Sequence, residues 1–330
     1  MRSLIQPALR LILMLAVILI QPAGLGADDK KKKDPEQIGN REVGAGVNFY
    51  SLEKEIALGK QLAAEVEREA RMVDTPLVAE YVNRMAQNLA KNSDLKVPVT
   101  AKVIDSEQVN AFALPGGFLY VNTGLLQQTD TEAELAGVLS HEIAHVAARH
   151  ATRQASRGQL ANIASLPLIF LGGWAGYAVR QGAGLAVPLT FLKFLRGFEE
   201  EADLLGLQYV YKTGYDPNAF VDFLEKLEAR EKKRPGTMSE IFRSHPPLAS
   251  RIKTTQQSIQ SMLRQQPLYI VTTSEFDAVR QELQSVTRRR RNEPAKSGPT
   301  LRRPSEAGRR PGDSAPGEED ERPTLKRRPN

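Results

Sequence analysis

A mainly helical α+β fold, with a small sheet packed on one central helix, is what this chain of 330 residues predicts. Three observations point there. Apolar residues recur three and four apart through most of the first 286 residues, while residues 99–121 alone read as strands. The run Leu135, Val138, Leu139, Ile143, Ala144 and Val146 is nearly continuous, the pattern of a helix buried all round at the centre of a core.

Taken in order, residues 1–27 read as an export signal. Arg2 and Arg10 precede a ten-residue apolar stretch, 11–20, too short to span a bilayer comfortably, and small residues lead to a cleavage site near Ala27. The chain has no cysteine, which excludes lipid attachment and disulfides, so stability must come from the core. Residues 28–45 are charged and are expected to be a linker, and a folded domain is expected over 46–286. Within it, helical spacing covers 50–70 and 76–89, the second opened by Asp74, Thr75 and Pro76. Residues 99–104 read as a strand, and 111–121, broken by Pro115, Gly116 and Gly117, as a hairpin.

The buried helix follows, with Thr131 or Asp130 as its N-cap. A second apolar-periodic helix starts at Phe198 and stops at Gly214; further helices are expected over 217–231, 247–263 and 274–286. Beyond Val286 the composition turns to Pro, Gly, Ser and charge, a disordered tail over 287–330. Residues 288–330 hold 13 Lys and Arg against 7 Asp and Glu, so the tail carries the whole net charge of +6. The remainder is balanced, and with the export signal this argues against a nucleic-acid partner. The tail is either a solvated spacer or a patch for anionic membrane or wall polymers.

The central helix also carries His141, Glu142 and His145, in the order HExxH. Positions four apart lie about 40° apart around a helix, so the two imidazoles can converge on one zinc ion. Glu142 is tilted off that direction and suits a general base toward a metal-activated water. The chain has four histidines, and two of them sit in this motif. On a continuous helix His150, nine residues after His141, points about 180° away, which suggests a packing or helix-terminal role. A catalytic zinc takes three protein ligands and one open position, so without cysteine the third is a histidine or a carboxylate. Glu199, Glu200 and Glu201 open the second helix, and spacing does not separate them. Glu199 and Asp203 share a face, so one could bind metal while the other orients a ligand imidazole.

The motifs HEIAH (141–145), EEEAD (199–203), NAFALPGG (110–117) and SHPP (244–247) resemble those of the gluzincin metallopeptidases of the CAAX prenyl endopeptidase, HtpX and Oma kind. The likeness is narrowest to the BepA type and covers about residues 45–286. It implies a zincin-like domain with one zinc per chain held by His141, His145 and Glu199. It further implies Glu142 as catalytic base and Asp203 orienting His141. Asn110, Ala111, Phe112 and Ala113 resemble the strand on which gluzincins lay an extended substrate; the alternative is a hairpin that merely packs on the helix. His245 is either an oxyanion donor, a fourth ligand that silences the centre, or a helix cap. Arg251 matches a family arginine that neutralises developing charge, or is an exposed helix residue. Where the BepA type carries a repeat domain after the protease, a disordered tail is expected here.

Residues 160–179 are apolar, with Pro167, Gly172, Gly173 and Gly176 among them. They are expected to form a lid or docking surface, with membrane insertion as the alternative. The whole reads as an exported, periplasmic or envelope-associated zinc endopeptidase acting on unfolded or misassembled polypeptides. A membrane-embedded processing protease and a client-binding chaperone are the rivals.

Overall fold

The computed structural model describes residues 31–169, 196–233, 245 and 249–292. The expected export signal, the second half of the apolar stretch 160–179 and the tail beyond 292 lie outside them. The core and the site belong to a compact unit ending at Thr287.

Helix α1 (Leu52–Glu69) begins where the Ser51 hydroxyl accepts from the Lys54 N–H, and α2 (Pro76–Lys91) carries Pro76 in its first turn. Strands β1 (Thr100–Ile104), β2 (Ala111–Leu114) and β3 (Phe118–Asn122) form one sheet in the order β1-β3-β2. The hairpin pairing is antiparallel, Ala111 opposite Val121, and its turn needs Gly116 (φ 80°) and Gly117 (φ 94°) in the left-handed region. Strand β1 pairs with β3 in parallel, Thr100 opposite Phe118, so the sheet is mixed. Among the described strands β2 is thus an edge. A short helix α3 (Thr123–Gln128), not expected from the sequence, carries the chain from the sheet to the central helix.

Central helix α4 (Glu132–Ala147) is capped by Thr131, whose hydroxyl accepts from the Glu134 N–H. It buries every residue but Val146, as its all-round apolar pattern requires. After it come α5 (His150–Ile169), α6 (Arg196–Thr213), α7 (Asn218–Lys233), α8 (Ala249–Met262) and α9 (Ser274–Asn292). Leu135, Leu139 and Ile143 of α4 share one core with Ala202, Leu205 and Tyr209 of α6 and with Val82 and Leu89 of α2. Helix α6 comes unusually close to α4 at Gly206. A Cβ there would lie 2.9 Å from the backbone nitrogen of His141 and 3.0 Å from its Cα. Among the described residues no helix is long and apolar enough to cross a membrane.

Residues 31–45 are laid on the core and are no free linker. Arg41 is 4% exposed; its guanidinium donates to both oxygens of buried Asp94 (Nε to Oδ1 at 3.2 Å, Nη2 to Oδ2 at 2.8 Å) and to Gln208 Oε1 (2.8 Å). Tyr209 donates to the same carboxylate at 2.9 Å. The charge of Arg41 is thus spent on a buried carboxylate and not on solvation, the pairing that burial demands.

Candidate active site

One turn of α4 places the rings of His141 and His145 side by side, with their Nε2 atoms 3.0 Å apart. The first turn of α6 brings Glu199 over them, Oε2 at 3.6 Å from His141 Nε2 and Oε1 at 3.5 Å from His145 Nε2. The Gly206 contact sets that approach. His245 closes the group, its Nδ1 2.9 Å from Glu199 Oε1 and 3.4 Å from His141 Nε2. All four residues are buried, and one ligand atom from each lies within 4.8 Å of the others.

Two donors about 2.05 Å from a tetrahedral zinc stand about 3.3 Å apart, and these separations of 3.0 to 3.6 Å bracket that value. The donors are the nitrogens and carboxylate that zinc takes, so the residues present fit the ion. Glu142 lies beside them, 1% exposed. Its Oε1 is without a hydrogen-bond partner and is 3.6 Å from His245 Nε2. Burial raises the Glu142 carboxyl above its ordinary pKa, while His245, His141 and the backbone N–H of Ala113 work against that rise.

Asp203 and Arg251 support the group from behind. Asp203 Oδ1 is 3.0 Å from His141 Nδ1, the nitrogen turned away from the shared point. Arg251, 3% exposed, donates Nε and Nη2 to both oxygens of Asp203 at 2.7 Å, and its Nη1 lies 2.9 Å from Glu199 Oε2. The alternative of an exposed helix arginine is therefore set aside: its guanidinium is spent on two buried carboxylates. Burial opposes a proton on His141, but Asp203 and Glu199 outweigh it and lift the pKa to about 9. Burial dominates at His145 and holds its pKa well below the usual range.

The three glutamates that spacing left unresolved now differ. Glu199 faces the histidines, Glu200 pairs on the surface with Arg196 at 3.1 Å, and Glu201 turns toward His150. His150 has the packing and helix-terminal position expected of it, buried at the start of α5, but its direction differs from the extrapolated one. Helix α4 stops at Ala147, and Arg149 takes φ 57°, so the extrapolated half-turn away from the site does not occur. Instead the fully buried His150 ring meets His145 edge to face, centroids 4.8 Å apart. A left-handed arginine leaves no pattern in sequence.

Strand β2 contains three of the four nominated strand residues. Ala111 and Ala113 are buried, the Phe112 ring stacks on Tyr120 with centroids 5.2 Å apart, and Asn110 precedes them, accepting from the Asn122 N–H. Beside His141 and Glu142 lies an apolar recess walled by Val138, Phe220, Phe223, Leu224 and Leu227.

A histidine pair on one helix, a carboxylate from the next and a glutamate beside them define a metallohydrolase centre of the zincin kind. Residues 76–259, more than half of the chain, match the model of peptidase family M48, and the chain belongs to that family. Its members are zinc-dependent metallopeptidases. Among curated proteins, the chain is 29% identical over 259 residues to the beta-barrel assembly-enhancing protease of Yersinia pestis, covering 76% of this chain and 53% of that one. The Escherichia coli (strain K12) protein of the same name is 29% identical over 236 residues, 68% of this chain and 47% of that one. The mitochondrial metalloendopeptidase OMA1 of Schizosaccharomyces pombe is 30% identical over 184 residues, 54% and 52% of the two chains. The chain thus spans about half the length of the curated relatives it matches.

Proposed function

We propose that this chain is an exported zinc endopeptidase that hydrolyses peptide bonds of unfolded or misassembled envelope proteins. The observation that carries the reading is Glu142: a buried carboxylate with a partnerless oxygen, set against a His, His and Glu group of zinc-binding composition. When bound, zinc supplies a Lewis acid that polarises the scissile carbonyl and acidifies water.

The chain's own residues do the rest. His141, His145 and Glu199 hold the ion; Glu142 takes a proton from water and returns it to the leaving amine. Its raised pKa suits a group that must be carboxylate in one half of the cycle and acid in the other. Asp203, fixed by Arg251, keeps the proton of His141 on Nδ1 and so leaves Nε2 free for metal. The Ala113 N–H touching Glu142 puts strand β2 next to the reacting groups. A substrate lying along the β2 edge would be held by backbone hydrogen bonds, which demand extended chain but little sequence, as an unfolded client provides.

In this reading His245 is the fourth donor. Its contact with Glu199 at 2.9 Å supports the closed, silenced state over the oxyanion role, because the same position occupies the fourth corner of the group. The domain division, with an export signal over 1–27 and a protease domain over 46–286, belongs to the same proposal. The names of the relatives, a beta-barrel assembly-enhancing protease among them, support an envelope client. The test is degradation of unfolded casein by zinc-loaded protein and by His245→Ala. Faster cleavage by the variant fits a silencing ligand; slower cleavage would assign His245 to the transition state.

A further inference from the structure

His150 makes contacts that the chemistry above does not use. His145 turns Nε2 to the shared point, which leaves Nδ1 on the far side of its ring, and that atom lies 2.9 Å from His150 Nδ1. The other nitrogen of His150, Nε2, is 3.2 Å from Glu201 Oε2. Glu201 is in turn held by Lys32 Nζ at 2.9 Å on Oε1 and by Arg153 Nη1 at 3.0 Å on Oε2. Two cations thus anchor the carboxylate that faces His150. Phe198 stacks flat on the His150 ring at 4.5 Å and 19°, and the Arg153 and Arg157 guanidinium groups lie within 5 Å of the Phe198 ring, at 4.8 and 4.5 Å. The ring is therefore fixed in place as well as in partners.

A single arrangement of protons satisfies these contacts. A neutral His145 that offers a lone pair at Nε2 carries its proton on Nδ1 and donates it to His150 Nδ1. His150 is then the accepting tautomer at Nδ1, carries its own proton on Nε2, and donates that to Glu201.

We infer that His150 is a positioning residue for the metal centre, forming with Glu201 a hydrogen-bonded chain that sets the tautomer and ring orientation of His145. This rests on the reading of His145 as a zinc ligand through Nε2. The two histidines of α4 are steered by separate devices. Asp203 acts directly on His141; Glu201 acts on His145 through a second imidazole. Both carboxylates come from α6, and the left-handed turn at Arg149 brings His150 into line between α4 and α6.

The test is zinc affinity of the full chain, measured by competition with a chromogenic chelator, for wild type, Glu201→Gln, His150→Leu and the double variant. Melting of the metal-free proteins and the ligand-field spectrum of the Co2+-loaded forms are recorded alongside. Loss of such an outer partner weakens metal binding by about 10- to 100-fold. The expected result is a loss of that size in His150→Leu, a smaller loss in Glu201→Gln, and no further loss in the double variant, because both act through one chain. The Co2+ bands shift in Glu201→Gln, which a merely structural role would not cause. If His150→Leu fails to fold, the isosteric Glu201→Gln decides alone by its affinity and spectrum. Wild-type affinity and an unmoved spectrum in Glu201→Gln, or additive effects of the two changes, would overturn the inference while leaving the zinc site intact. Failure of the wild-type protein to bind zinc would overturn both.

Discussion

Gly206→Ala tests how closely the two site-bearing helices must approach. The added methyl would stand 2.9, 3.0 and 3.1 Å from backbone atoms of His141 and Ser140, where carbon contacts settle near about 3.5 Å. No flexible side chain can yield, so α6 must retreat by about half an ångström. Overpacking of this kind costs about 1–3 kcal/mol, and alanine's better helix propensity returns about 1 kcal/mol. The net is a loss of about 0–2 kcal/mol, or up to about 8 °C in Tm. Function suffers more. Glu199 lies two helical turns before Gly206 on the same face, and a displacement of about 1 Å at a reacting centre costs about 100-fold in rate. Half of that displacement gives a fall of about 10-fold in kcat/KM, with weaker zinc binding. The assays are chelator competition and hydrolysis of a quenched fluorescent peptide. The control is Gly158→Ala in α5, where an added methyl meets nothing within 4 Å and helix propensity alone acts. If Gly206→Ala behaves like that control, more stable and with unchanged zinc affinity and rate, the close-approach reasoning is wrong.

Arg251→Met leaves the buried carboxylates of Glu199 and Asp203 without their shared cation, and should cost about 3–5 kcal/mol in urea unfolding of the metal-free protein. A loss under about 1 kcal/mol would mean the guanidinium is not paired as described. Asp203→Asn should lower zinc affinity by about 10-fold or more, read by chelator competition, and should also lower the stability of the metal-free protein, because buried Arg251 loses one of its two carboxylates. Tyr81, Tyr120, Tyr209 and Tyr215 are all held above the ordinary tyrosine pKa, by burial first and by neighbouring carboxylates second. A raised pKa contributes stability that is whole below about pH 10, the unfolded value, and is lost as pH rises beyond it. Tyrosinate absorbance from four of the eight tyrosines should therefore appear only with unfolding above about pH 10, checked by parallel absorbance and circular dichroism. Eight tyrosines ionising on an intact fold would contradict this.

Periodicity found the long helices because each buries one face or, for α4, all of them. It could not find α3, six residues long, nor the parallel pairing of β1 with β3, which depends on partners outside the local pattern. The HExxH spacing placed His141 and His145 together, since four residues on one helix need no tertiary information. Separating Glu199 from Glu200 and Glu201 required the direction in which α6 lies. The packing or helix-terminal role of His150 was legible, but its direction was not, because the extrapolated helix ends at Ala147 and the left-handed Arg149 has no glycine to announce it. Residues 31–45 were misjudged because charge was read as solvation, whereas Arg41 and Lys32 spend theirs on Asp94 and Glu201.

The most direct measurement compares wild type with Glu142→Gln for bound zinc and for casein hydrolysis in the same preparation. Glu142 is placed beside the ligand atoms without being one of them, and glutamine keeps its size while removing the proton acceptor. The expected result is one zinc per chain in both proteins, with hydrolysis lost in the variant by at least about 100-fold, the scale of general-base catalysis. Equal hydrolysis by the two proteins would contradict the assignment of Glu142 as the base.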